Sequence, residues 1–269
     1  TGTGYAIVNT GTTSDSQSFI IGDFILDGST KTSGRHGIKE QSIGPAGGFI
    51  DLYIRNMDEC LRFDNTNSRF IQRYRVKTAN VGLITAEGAV TAGNAFFLVR
   101  FSISNCGTCG IHLGTPFAGP TESDTAIAVI RGGNCDSCAL SIHLDGLCVN
   151  VQIEDVYVET GSGTHDILIE GISNSFKANN ITLKNVRGQG NSAVANMIKM
   201  DFAAQVIFDN VKAVNYTDSM IYLNQDTGYK LDIRSPTLET TPFLINSVAI
   251  ANNRNFGIVT ESGRVGFIG

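Results

Sequence analysis

Tryptophan is absent from this chain, proline is limited to 5 residues, and no segment keeps helical spacing long enough to make a convincing helix. With 30 glycines and short recurring runs of Val, Ile, Thr and Asn, the composition favours many short strands joined by turns. No stretch approaches the roughly 20 apolar residues that span a bilayer, and no charged-then-apolar signal segment opens the chain. Concentrated positive charge is missing too. The net charge of −5 is spread over interspersed acids and bases, which argues against nucleic acid as a partner. Hydrophobic residues make up 42% of the 269, ample for a continuous core in one large domain or two small ones. The chain opens at Thr1 without Met, in the strand-like run Tyr5 to Asn9, and reads as a fragment or processed piece.

What is present is a repeat. Short apolar strands end in a polar residue at Asp27, Asn56, Asn80, Asn105, Asn134, Asp155, Asn185 and Asn210, separated by 29, 24, 25, 29, 21, 30 and 25 residues. Two residues before it stand apolar side chains such as Ile54, Ile103, Ile153 and Leu183, and directly after it stand Met57, Cys106, Val156 and Val186. Positions two apart share one strand face, so these residues point into a common core. A polar residue between inward ones marks a bend, and Asn and Asp tolerate the left-handed backbone a bend needs.

A second strand recurs in each repeat, with Leu61, Ile111, Ile142, Ile167, Ile198, Ile221 and Phe243 inward. The partners two residues on are Phe63, Leu113, Leu144, Ile169, Met200, Leu223 and Ile245. Fixed-period repetition of one small unit is the signature of a solenoid. The expected fold is an all-β, right-handed, single-stranded parallel β-helix of about 8–10 rungs over residues 1–247. Residues 248–269 fit no rung and are expected to cap the solenoid or pack on another subunit.

Cys106-x-x-Cys109 and Cys135-x-x-Cys138 have the spacing of a tetrahedral zinc site. In the rung alignment, however, Cys106 and Cys135 fall in the column filled elsewhere by Val81, Val156, Val186 and Val211. Cys60, Cys109 and Cys138 fall in the column of Ile84. Cysteine packs well as a small buried hydrophobe, so core stacks are the leading reading, with zinc and a disulfide as alternatives.

The interior of such a solenoid is packed, and chemistry belongs on an outward face. The second strand offers His112, then His143 with Asp145, then Glu170, then Lys199 with Asp201, then Tyr222 with Asn224. Stacking would place Asp145, Glu170 and Asp201 in one column, neighbours near ~5 Å and alternate members near ~10 Å. Those spacings bracket the carboxyl separations of retaining and inverting glycosidases. Close carboxylates also split their proton affinities, which suits an acid and base pair. The column therefore supplies the candidate catalytic residues, with His112, His143, Lys199, Tyr222 and Asn224 as candidate glycan-binding residues. No metal ligand set is assigned and no cofactor is required, although carboxylate oxygens in a column also suit Ca²⁺, beside Lys199 as a base for β-elimination. Solvated, turn-forming acids at strand ends are the plain alternative. His36 and His165 adjoin turns and are assigned nothing. The insertion Thr115–Asp124 beside His112 could wall a groove.

With strings such as FSISNCGTCGIHLG, VQIEDVYVE and ITLKNV in place, the chain from Phe19 to Ser247 resembles the pectate-lyase-like superfamily of right-handed β-helices. Within it, the chain is most similar to the shaft of a phage tailspike or appendage protein. The resemblance implies a homotrimer at the virion surface or outside the cell, binding host surface polysaccharide and often cleaving it. The NTD, DD, GHG and RIK strings of polygalacturonases are missing, as is the arginine-rich signature of pectate lyases, and Arg35-His36-Gly37 is too slight to carry a role over. Other readings remain open: a secreted lyase or hydrolase of the same fold, or a passive shaft or adhesin segment.

Overall fold

A computed structural model describes residues 4–9, 20–29, 34–41, 47–64, 69–86, 95–114, 127–146, 148–173, 177–191, 193–224, 230–247 and 256–259. Among these there is no helix, and every pairing between strands is parallel. The chain forms the expected right-handed parallel β-solenoid. Each turn carries three strand segments, so three parallel sheets enclose one core. Where the bends are tight, a single strand runs through all three faces, as in Gly47–Asp64, Arg69–Ala86 and Phe96–Leu113.

The core follows from period-two patterning. In the third sheet, Ile38, Leu61, Leu83, Ile111, Ile142, Ile167, Ile198 and Ile221 stack one upon the next. All eight are fully buried. The stack is flanked by Ile7 below and Ile245 above. Ile221 thus pairs with Ile245 and Ser219 with Phe243, two residues out of the alignment expected for this last strand. Truncating one stacked isoleucine to alanine costs ~2–5 kcal/mol, because rigid neighbours on both sides cannot close the cavity.

Six turns contain two left-handed bends, where one ladder was expected. The first bend column runs through Asp23, Asp51, Arg73, Arg100, Gly132, Asp155, Asn185, Asn210 and Ser235, all at positive φ. The second runs through Asn56, Thr78, Asn105, Ser137, Asn215 and Thr240, also at positive φ. The two lie five residues apart in these six turns, as at Asp51 and Asn56 or Asn210 and Asn215, whereas in the first turn Asp23 is followed by Ser29 six residues on. The eight residues read as one ladder therefore belong to different columns. Asn56 and Asn105 sit on the second bend and Asp155, Asn185 and Asn210 on the first, while Asp27, Asn80 and Asn134 are at neither. Within a column the side chains do bond along the axis: Asn210 Nδ2 donates to Asn185 Oδ1 at 2.9 Å, and Asn185 Nδ2 to Asp155 Oδ1 at 2.9 Å.

All six cysteines are buried, and none forms a disulfide. Their columns differ from those expected, because Cys106–Cys109 begins just after a second bend at Asn105, whereas Cys135–Cys138 straddles the next one at Ser137. Cys135 consequently stacks on Ile103, and Cys109 pairs with Val81. Cys106 lies beside Cys138, whose neighbour Ala139 donates its backbone N–H to the Cys106 carbonyl at 2.9 Å. Ile84 faces outward, next to His112. Among the described residues the thiols form no cluster with metal-ligand spacing. Burial pushes the Cys60, Cys109 and Cys135 thiols well above the ordinary range.

Residues 248–255 and 260–269 lie outside the described residues, but Phe256–Val259 pairs in parallel with Lys230–Arg234. The first sheet thus continues beyond residue 247, where no further rung was expected.

Candidate functional site

The third sheet presents two parallel outward columns, set by strand alternation. One contains Lys39, Arg62, Ile84, His112, His143, Leu168, Lys199 and Tyr222 in register. The other, two residues further along each strand, contains Asp145, Glu170 and Asp201 on consecutive strands. The expected acidic column is therefore formed. Adjacent strands are ~4.8 Å apart, so the backbones of Asp145 and Asp201 stand ~10 Å apart with Glu170 between them.

Each acid has its own cationic or imidazole partner. His112 Nε2 lies 3.1 Å from Asp145 Oδ2, and His143 Nε2 lies 3.2 Å from Glu170 Oε2. Lys199 Nζ lies 3.1 Å from Asp201 Oδ2. The two imidazoles stack on neighbouring strands, centroids 4.5 Å apart and planes 16° from parallel. Burial separates the acids: the side chains of Asp145 and Asp201 are 8% and 6% exposed, that of Glu170 42%. Asp201 Oδ1 is buried with no hydrogen-bond partner. A buried oxygen in that condition lacks a donor it would otherwise require, so a ligand hydroxyl there would relieve a desolvation cost.

His165 begins the strand that ends in Glu170. Burial first, then the charge of Lys199, holds its imidazole down to about 4. It is thus a neutral group beside the acids at ordinary pH. Tyr222 pairs in register with Lys199, and Asn224 donates its backbone N–H to Met200 at 3.1 Å, which sets it beside Asp201. All eight candidate residues therefore share one face. The insertion Thr115–Asp124, the expected groove wall, lies outside the described residues.

The same face extends toward the N-terminus in a way the sequence reading missed. Lys39 Nζ and Arg62 Nε both reach the Asp64 carboxylate, at 2.9 and 2.8 Å. Glu59 gathers the Tyr5 hydroxyl at 2.5 Å, Arg62 at 3.3 Å and His36 at 3.6 Å. Lys39, Arg62 and Asp64 were within reach by counting back along the same columns from His112 and Asp145, whereas Tyr5 and Glu59 stand in the column that leads through Val81 to Cys109.

His112, His143 and Asp145 bring one ligand atom each to within 4.8 Å of one another. Two imidazoles and one carboxylate suit a borderline ion such as Zn²⁺ better than Ca²⁺, which takes six to eight oxygens. The Ca²⁺ option for the acidic column loses ground on donor chemistry, since each carboxylate is already held by a histidine or lysine.

The fold and this face define a parallel β-solenoid with a row of carboxylates, each matched to an imidazole or an ammonium. No family model matches the chain, and no curated protein matches it. Among solved structures, it is similar to the catalytic domain of a GH87 alpha-1,3-glucanase in complex with tetrasaccharides. The two share 11% identity at a TM-score of 0.44, over 97% of this chain and 63% of that one.

Proposed function

We propose that this protein is a phage tailspike-like receptor-binding solenoid that binds a host cell-surface polysaccharide along the third sheet and depolymerises it. The observation that carries the reading is the column Asp145, Glu170 and Asp201 on consecutive strands, each with a basic partner. Backbone spacings of ~4.8 and ~10 Å bracket the carboxyl separations used for direct attack on a glycosidic carbon and for activating an intervening water. Differences in burial give the acids unequal environments, which is how two like groups take separate acid and base roles. His112, His143, Lys199, Tyr222 and Asn224 line the path of the chain. The rung strings support placement on a virion as a homotrimer.

The test is cleavage of a panel of bacterial surface polysaccharides by the wild type and by Asp145→Asn, Glu170→Gln and Asp201→Asn. New reducing ends without an unsaturated product mark hydrolysis, and an unsaturated uronate marks elimination. Loss of turnover in at least one variant that still folds supports the catalytic column, whereas full turnover in all three sinks it. Sedimentation decides the assembly: a trimer fits the spike, and a monomer fits a secreted lyase or hydrolase. A passive shaft would bind nothing on a bacterial glycan array.

A further inference from the structure

A cleft of about 580 Å³ lies on the first bend, between the first and second sheets and away from the acidic column. Its lining includes Asp51, Tyr53, Arg73, Arg75, Arg100 and Ser102. Elsewhere this bend column uses Asp, Asn, Gly or Ser, residues suited to the left-handed backbone. Only at this cleft does it use arginine, at Arg73 with φ 55° and Arg100 with φ 57°. Long side chains in that conformation are strained, and such strain collects where a site requires the side chain.

The charges are also unequally matched. Arg73 is bound through two nitrogens by the Asp51 carboxylate. Arg75 and Arg100 are both exposed; Arg75 shares the field of the Asp51 carboxylate that Arg73 already holds, and Arg100 makes no hydrogen bond or ion pair among the described residues. Three residues before Arg73 and Arg100 on the same strands stand Phe70 and Phe97, in register with each other and 39% and 36% exposed. Three residues of strand span ~10 Å, room for an aromatic step beside an arginine pair. Guanidinium forks recognise carboxylates and sulfates, and exposed aromatic faces are amphipathic platforms.

We infer that this cleft binds an acidic oligosaccharide, its carboxylate or sulfate groups held by Arg75 and Arg100 and its ring faces laid on Phe70 and Phe97. The inference rests on the glycan reading of the protein but not on the acidic column, which occupies a different sheet.

The experiment measures binding of three probes to the full chain by calorimetry: oligogalacturonate, dextran sulfate and unsubstituted dextran. One or both acidic probes should bind, and whichever does identifies the oxyanion; neutral dextran should not. The Arg75→Gln/Arg100→Asn double variant should lose at least tenfold in affinity, and added salt should weaken the wild type. Because asparagine suits the bend, Arg100→Asn alone should melt higher than the wild type while binding more weakly. Equal binding of neutral dextran, or unchanged affinity in the double variant, overturns the cleft. Neither result bears on the acidic column, whose readout is cleavage. Tighter binding of a single-stranded oligonucleotide overturns the saccharide assignment. A change in sedimentation without a change in affinity overturns it also, by making the cleft an interface between copies.

Discussion

The imidazoles of His112 and His143 lie face to face on neighbouring strands, and each reaches across to the carboxylate of the strand above, Asp145 and Glu170 respectively. This staggered arrangement couples three levels of the solenoid through side chains. It also means that neither acid is free of a nitrogen partner, so the histidines and carboxylates should act as a unit.

If they do, Zn²⁺ added in modest excess should suppress polysaccharide cleavage by engaging His112, His143 and Asp145, and Ca²⁺ at the same concentration should not. Chelation should restore turnover. His112→Gln should make the wild-type Zn²⁺ inhibition disappear, and an unaltered inhibition curve in that variant would place the metal elsewhere.

Inside the solenoid, Glu40 at the end of a third-sheet strand and Arg69 at the start of a first-sheet strand form an ion pair at 3.0 Å with side chains 0% and 1% exposed. Glu40→Ala leaves the guanidinium buried without its carboxylate, which should cost about 3–5 kcal/mol in urea unfolding. By contrast, Asp51→Asn keeps a residue suited to the left-handed bend and removes only an exposed partner of Arg73, so its unfolding midpoint should shift far less.

Asp166 is fully buried, bonded by the hydroxyls of Thr160 and Tyr216, and burial raises its carboxyl from 3.8 to about 8. The folded state therefore holds a proton that the unfolded chain releases. The stability this contributes is complete below about pH 4 and lost as pH rises toward about 8. His165 works in the other direction: lowered from 6.5 to about 4, it contributes stability above 6.5 that is lost as pH falls through 4. The two oppose each other between about 4 and 6.5, so the decline should show mainly above 6.5. Asp166→Asn should flatten that upper limb of melting temperature against pH.

The six cysteines should resist alkylation in the native protein and react fully in denaturant, since all are buried and burial disfavours the thiolate at Cys60, Cys109 and Cys135. Mass spectrometry after a timed iodoacetamide pulse checks this. Rapid native labelling of Cys109 would contradict its placement in the core.

Core and face were legible in the sequence because strand alternation converts directly into inside and outside. Ile111, Ile142, Ile167, Ile198 and Ile221 could be aligned by eye, and the alignment carried Asp145, Glu170 and Asp201 into register with them. The bends were harder. Both require a left-handed residue flanked by inward apolar neighbours, so Asn105 on one and Asn185 on the other gave the same local signal. Positions such as Arg73, Arg100 and Thr78 gave none, since their residue types do not advertise positive φ. The cysteine columns failed for the same reason, as they were counted from that merged ladder. Pairings such as His112 with Asp145 depend on reach to the next strand, which linear spacing does not contain.

The five-residue step between the two bends, kept in six turns, has an evolutionary corollary. An insertion there would put every later side chain out of phase with the turn beneath it, whereas the segments after the third sheet already differ in length. Four residues separate Asp64 from Arg69, and fourteen separate Leu113 from Ala128. New loops can therefore be grafted beside the histidine and carboxylate columns without renegotiating the core, so variation in specificity is channelled to one seam of the molecule.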